Sequence, residues 1–148
     1  YDYDPKKSAK EHLNKEYYTK LIQLEFWYKD IFTNINLYNK HISRIIIHSY
    51  DYPIPIQSGD GRSGHWIGKN LSKKRNIKDH ELQKAIAVEF INDIHAILLK
   101  VSQLPELSAK ITLMDFKKKK KKVSNWYDEI HPNKASNVVF ADMIFNAM

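Results

Sequence analysis

Three consecutive isoleucines, Ile45-Ile46-Ile47, set the tightest limit on the fold of this chain. Side chains alternate between the two faces of a strand, so an unbroken β-branched run suits a strand covered on both sides. Strands of that kind belong to parallel sheets flanked by helices, and the periodicity around this one agrees. Residues 8 to about 40 read as helix with room for one break: Tyr17, Leu21, Leu24, Tyr28, Ile31, Ile35 and Tyr38 recur at spacings of three and four. The strand itself covers residues 44 to 50. Residues 51 to 75 carry Pro53, Pro55 and all four glycines and read as one long loop.

Residues 77 to 102 give the clearest helix, with Leu82, Ile86, Phe90, Ile94, Ile97 and Val101 on one stripe and Asn76 or Asp79 as N-cap. Residues 110 to 116 suit a second strand. A last helix runs from about 133 to 147, started by Pro132 and expected to bury Val138, Ala141 and Phe145. The order helix–strand–helix–strand–helix predicts an α/β fold with a parallel sheet. Two parallel strands under three helices make a thin domain, however. The apolar edge of the Ile45-Ile46-Ile47 strand is therefore expected to be covered by polypeptide outside this sequence, because an open edge invites unwanted pairing.

Composition narrows the class. The 148 residues suit one domain, and 43% hydrophobic residues can supply a core. No apolar run approaches the roughly 20 residues of a membrane span. With no cysteine there are no disulfides or thiolate metal sites, and cytoplasmic and exported compartments both stay open. The chain opens on Tyr1-Asp2-Tyr3-Asp4 without a Met, which fits a processed or truncated start. Its net charge of +7 would fall to +1 without the six lysines at 117–122, so the basicity reads as one local run. That run lacks the interleaved aromatics of a nucleic-acid surface and argues against such a partner. An anionic membrane surface is the weaker alternative to a solvated, self-repelling loop.

The chemistry concentrates in Trp126-Tyr127-Asp128-Glu129-Ile130-His131-Pro132-Asn133. Histidine ionises near neutrality, and a carboxylate on one ring nitrogen fixes the tautomer so that the other can take a proton. Asp128 and His131, three apart and stopped by Pro132, have the residue types and spacing of such a pair; Glu129 beside them reads as solvated. No activated serine accompanies them. Ser58-Gly59-Asp60-Gly61-Arg62-Ser63-Gly64 has glycine where a Gly-Asp-Ser nucleophile would stand, and reads as a flexible turn. The other histidines, at 12, 41, 48, 65, 80 and 95, show no paired metal spacing, so no metal or cofactor is expected. His95 lies off its helix's apolar stripe and reads as exposed.

Asp128-x-x-His131-Pro132 after Trp126 resembles the last motif block of the SGNH hydrolases, the GDSL-type esterases and lipases. The apolar strand leading to Tyr50-Asp51-Tyr52, then Gly64-His65-Trp66-Ile67-Gly68, resembles a bacterial branch of that family. The resemblance covers about residues 15 to 148 and only the family's C-terminal half. It implies a three-layer α/β/α, flavodoxin-like fold, of which this chain supplies about two parallel strands and three helices. It also implies His131 and Asp128 as catalytic residues, with the serine in a missing N-terminal segment of the same domain. The substrate would be an ester-containing small molecule or an acylated substrate.

Both motif regions leave the carboxyl ends of the two strands, where ligands bind in open α/β sheets. There Asp51, Tyr52 and Trp66 are candidates for lining an acyl or alcohol pocket; equally, Asp51 suits a turn cap and the aromatics suit loop packing. Two function classes follow. One is a serine esterase or acylhydrolase whose acid–base half is this chain, inactive in isolation. The other is a truncated or degenerate relative serving as a binding or structural module, with the 117–122 lysines as its contact surface.

Overall fold

Ile45-Ile46-Ile47 forms the strand β1, Ile45–His48, which pairs in parallel with β2, Ile111–Met114, in the register Ile45↔Ile111 to His48↔Met114. The computed structural model describes residues 3–57, 60–62, 64–108, 110–117, 119 and 122–148. Around the two-stranded sheet the described residues place four α-helices: α1 (Lys15–Tyr38), α2 (Gly68–Arg75), α3 (His80–Ser102) and α4 (Lys134–Phe145). The architecture is mixed α/β. Short 3-10 turns sit at Ala9–His12 and Val123–Asn125.

The core lies on one face of the sheet. Phe32 of α1, Ile97 and Val101 of α3, Leu107 and Ile111 are buried together, with Leu21, Leu24, Tyr28, Ile35, Ile45 and Ile47 packed against them. Alternation along β1 explains this: Ile45 and Ile47 turn to α1 and α3, while His48 turns the other way. His48 stacks on Phe116, and Phe116 stacks on Phe140 of α4 at a ring-centroid distance of 4.5 Å. Each fully buried Ile or Leu of the core stabilises the fold by about 1.5–3 kcal/mol.

Helix boundaries follow local capping. The one break expected before residue 40 falls at Leu13-Asn14, where the Asn14 carboxamide accepts from Tyr17 N–H and starts α1. Asp79, not Asn76, caps α3, accepting from the Glu81 and Leu82 amides. Asn76 instead closes α2 in the left-handed region, at φ 56°.

Several expectations require correction. The long loop over 51–75 ends in a helix: α2 begins at Gly68 and closes with Lys73, Lys74 and Arg75 at its negative end. This is a second basic cluster, so the charge is not confined to the lysine run. Val138 and Phe145, assigned to the interior, are 54% and 71% exposed, and Ala141 is exposed too. Among the described residues nothing packs over that side of α4. On α1 the true core residue is Phe32, whereas Ile31 and Tyr38 are exposed. Both strands are also shorter than expected, at four residues each.

Candidate functional site

The turn over residues 126–133 is folded tightly enough to hold its side chains in one arrangement. Trp126 and Pro132 form an antiparallel bridge, and Tyr127 N–H donates to the His131 carbonyl at 2.8 Å. Asn133 then caps α4, accepting from Ser136 N–H at 2.9 Å. Asp128 and His131 stand inside this turn. One Asp128 oxygen, Oδ1, accepts from the Ile130 and His131 amides at 2.8 and 2.7 Å; the other, Oδ2, lies 2.7 Å from His131 Nδ1.

The two partners differ sharply in exposure. Asp128 is buried, while the His131 side chain is 58% exposed and its Nε2 has no hydrogen-bond partner among the described residues. Burial pushes the Asp128 carboxyl up, but the hydrogen bonds from the His131 ring and from the His131 and Ile130 amides outweigh it. The carboxyl is therefore held below its ordinary value, which keeps it charged beside the ring. In a neutral imidazole with Nδ1–H on Asp128, Nε2 carries the free lone pair. The unit can accept a proton there and stabilise the resulting imidazolium.

Glu129, expected in solvent, is fully buried. Its Oε1 accepts from Ile56 N–H at 2.5 Å and Gly68 N–H at 2.8 Å, and its Oε2 accepts from Ile67 N–H. Asp128 and Glu129 are consecutive, so their side chains diverge: one to the histidine, the other into the amides of two distant loop segments. No sequence pattern signals this, since its partners lie 61 to 73 positions away.

Arg62 adds a second tie. Its guanidinium is paired through two nitrogens with Asp60, at 2.6 and 2.7 Å, and donates to the carbonyls of Asp128 and Ile54 at 3.1 and 3.2 Å. The Asp60–Arg62 part of the supposed flexible turn is thus pinned to the Asp128 backbone; Ser58, Gly59 and Ser63 lie outside the described residues.

The three residues suggested for a pocket are placed differently. Trp66 is 55% exposed, and its indole nitrogen and the Asp128 carboxylate both crowd Gly64 from the side where a side chain would stand. Asp51 is buried, accepts from Tyr52 N–H at 2.7 Å, and borders a cavity of about 290 Å³ between the end of β1 and α4. Tyr52 turns toward α3, donating its hydroxyl to the Asn92 side chain at 2.7 Å. Tyr50, which no sequence pattern marks as a pocket residue, lines the same cavity; burial first, and the Asp128 charge second, push its phenol up. Pro132, Phe116, Phe140 and Ile144 complete the apolar part of the lining.

Comparison with family models, with curated proteins and with solved structures gave no match.

The serines nearest in character to a nucleophile are otherwise engaged or outside the described residues. Ser49 is fully buried at the end of β1, where its hydroxyl accepts from Phe116 N–H at 2.9 Å and reaches Asp115 at 3.2 Å. Among the described residues no group of three or more His, Asp or Glu side chains could hold a metal ion. No described helix is long and apolar enough to cross a membrane. His95, expected on the surface, is half-buried; burial first, then the Lys117 charge, lowers its affinity for a proton. Of the lysine run, positions 118, 120 and 121 lie outside the described residues.

Proposed function

We propose that this chain is the acid–base half of a serine esterase or acylhydrolase of SGNH type. The observation that carries the reading is the His131 Nδ1–Asp128 Oδ2 contact of 2.7 Å, with a buried carboxylate behind and an exposed ring whose Nε2 has no hydrogen-bond partner among the described residues. In this reaction a serine hydroxyl attacks the ester carbonyl and His131 takes its proton at Nε2. Asp128 stabilises the imidazolium, which then protonates the leaving alcohol. Water attacks the acyl-enzyme by the same route in reverse.

The serine and its oxyanion donors come, in this reading, from polypeptide outside these 148 residues, which completes the sheet of a three-layer α/β/α fold. Two features support that addition. Ile45 N–H and Ser49 N–H donate toward β2, to the Lys110 and Met114 carbonyls, so the alternate residues Ile46 and His48 direct theirs to the far edge, which no described strand occupies. Large apolar side chains also stand exposed beside the sheet: Ile22, Phe26 and Trp27 on α1, and Val138, Val139 and Phe145 on α4. Exposed apolar side chains grouped along a helix mark an interface more often than ones scattered singly.

The test is complementation. The isolated chain should hydrolyse p-nitrophenyl acetate no faster than buffer. Adding the segment encoded upstream of Tyr1, in cis or as a separate fragment, should restore hydrolysis that His131→Ala abolishes and Asp128→Asn lowers on the order of 10⁴-fold by supplying the wrong tautomer. Hydrolysis indifferent to His131→Ala would overturn the assignment. A folded, stable complex that hydrolyses nothing would favour the non-catalytic module.

A further inference from the structure

We propose that Glu129 is a positioning residue for the Asp128–His131 pair. It would fix the turn that carries them by binding the amides of Ile56, Ile67 and Gly68. The proposal rests on reading that pair as an acid–base unit, but its test does not depend on hydrolysis. The carboxylate is fully buried and accepts three backbone N–H bonds, which occupy both of its oxygens.

These donors belong to two segments. Ile56 follows the Pro53–Pro55 stretch leaving β1, and Ile67 and Gly68 lead into α2. Because Glu129 is covalently next to Asp128, holding its carboxylate also sets the direction of the Asp128 side chain. The approach is close: a methyl at Gly68 would come within 2.5 Å of the Ile56 carbonyl and 3.0 Å of Glu129 Oε1. Arg62 grips the Asp128 carbonyl from another side. A displacement of about 1 Å in such a constellation costs on the order of a hundredfold in rate, so an anchor at this point bears on chemistry as well as on folding.

Glu129→Gln tests the idea on the 148-residue chain. The glutamine is isosteric, yet it offers one acceptor oxygen and turns an NH₂ donor against an amide donor. Nitrogen-15 NMR of the His131 ring reads the tautomer directly. The wild-type ring should be held as one tautomer, Nδ1–H, with Nε2 bare. In folded Glu129→Gln both tautomers should be visible, with at least a tenfold rise in the minor one. Glu129→Asp, which keeps the charge but shortens the reach, should fall between. A folded Glu129→Gln chain that melts lower but keeps the wild-type His131 signature would make Glu129 merely structural and overturn the proposal. Should Glu129→Gln fail to fold, Glu129→Asp and Gly68→Ala give the same reading. If all three fail, Glu129 is a folding residue and the proposal also falls. Loss of esterase complementation with the tautomer effect intact would count against the hydrolase reading alone.

Discussion

At the scale of single residues, the legible and the illegible stand side by side in Asp128 and Glu129. The spacing of Asp128 and His131 predicted a contact, and the turn brings them to 2.7 Å. Glu129 reads as solvated from the sequence, because its amide partners, Ile56, Ile67 and Gly68 at the start of α2, lie in segments whose path no local pattern specifies. The glycines teach a similar lesson and carry a prediction. Gly61 and Gly64 both have positive φ, at 80° and 78°, so alanine is conformationally strained at either. Around Gly61 a methyl would meet nothing within 4 Å, whereas at Gly64 it would meet the Trp66 indole nitrogen at 2.8 Å and Asp128 Oδ2 at 3.0 Å. Gly61→Ala should therefore destabilise by about 1–2 kcal/mol. Gly64→Ala should cost clearly more and change Trp66 fluorescence. Equal denaturant midpoints for the two variants would show that the crowding at Gly64 is not felt.

Acid sensitivity belongs to the same scale. Hydrogen bonds from Arg62 hold the Asp60 carboxyl below its ordinary value, and hydrogen bonds around Asp128 do the same against burial. A carboxyl depressed in the folded state contributes stability that is complete above its unfolded value, about pH 4, and is lost as pH falls through the folded value. The melting temperature should therefore drop steeply below about pH 4. Arg62→Ala should flatten that drop in part by freeing Asp60 and should also loosen the Asp128 turn. An unchanged acid limb in Arg62→Ala would remove Asp60 from the account.

At the scale of elements, α3 was readable because its apolar spacing, its Asp79 cap and its length agree with one another. Ile86, Ile97 and Val101 are buried as the stripe requires. α2 was missed because Gly68 looks like one more loop glycine and the helix has only eight residues, almost none apolar. What holds it is tertiary: Glu129 at its first residues and Asn76 at its end. The caps give opposite predictions. Asp79→Ala removes the acceptor of two amides and should destabilise by about 1 kcal/mol. Asn76→Gly relieves a left-handed residue at φ 56° and should be neutral or stabilising by a few tenths of a kcal/mol. Chemical denaturation of both variants checks the pair of signs; a destabilised Asn76→Gly would mean that the asparagine side chain does more than tolerate its backbone.

At the scale of the whole molecule, the α/β order was visible in the sequence, yet the sequence could not say which apolar residues would be covered. Periodicity marks a helix as apolar; it does not say that anything lies against it. Val138, Phe145, Ile22 and Phe26 follow helical spacing and remain exposed, in line with a sheet whose β1 edge has no neighbour among the described residues. This makes a prediction at the level of individual amides. Ile45 and Ser49 donate to the Lys110 and Met114 carbonyls and should exchange with solvent deuterium slowly in the isolated chain. Ile46 and His48, facing the open edge, should exchange quickly. If the proposed third strand, from polypeptide outside this sequence, docks on that edge, both should become protected when it is added, because it would accept their hydrogen bonds. A Lys at Ile46 should weaken that binding by placing a charge on the face toward α4, while a Lys at exposed Lys-rich α2, for instance Asn70→Lys, should leave it unchanged. If the Ile46 and His48 amides are already protected in the isolated monomer, the β1 edge is closed from within. That result would remove the proposed third strand from this edge.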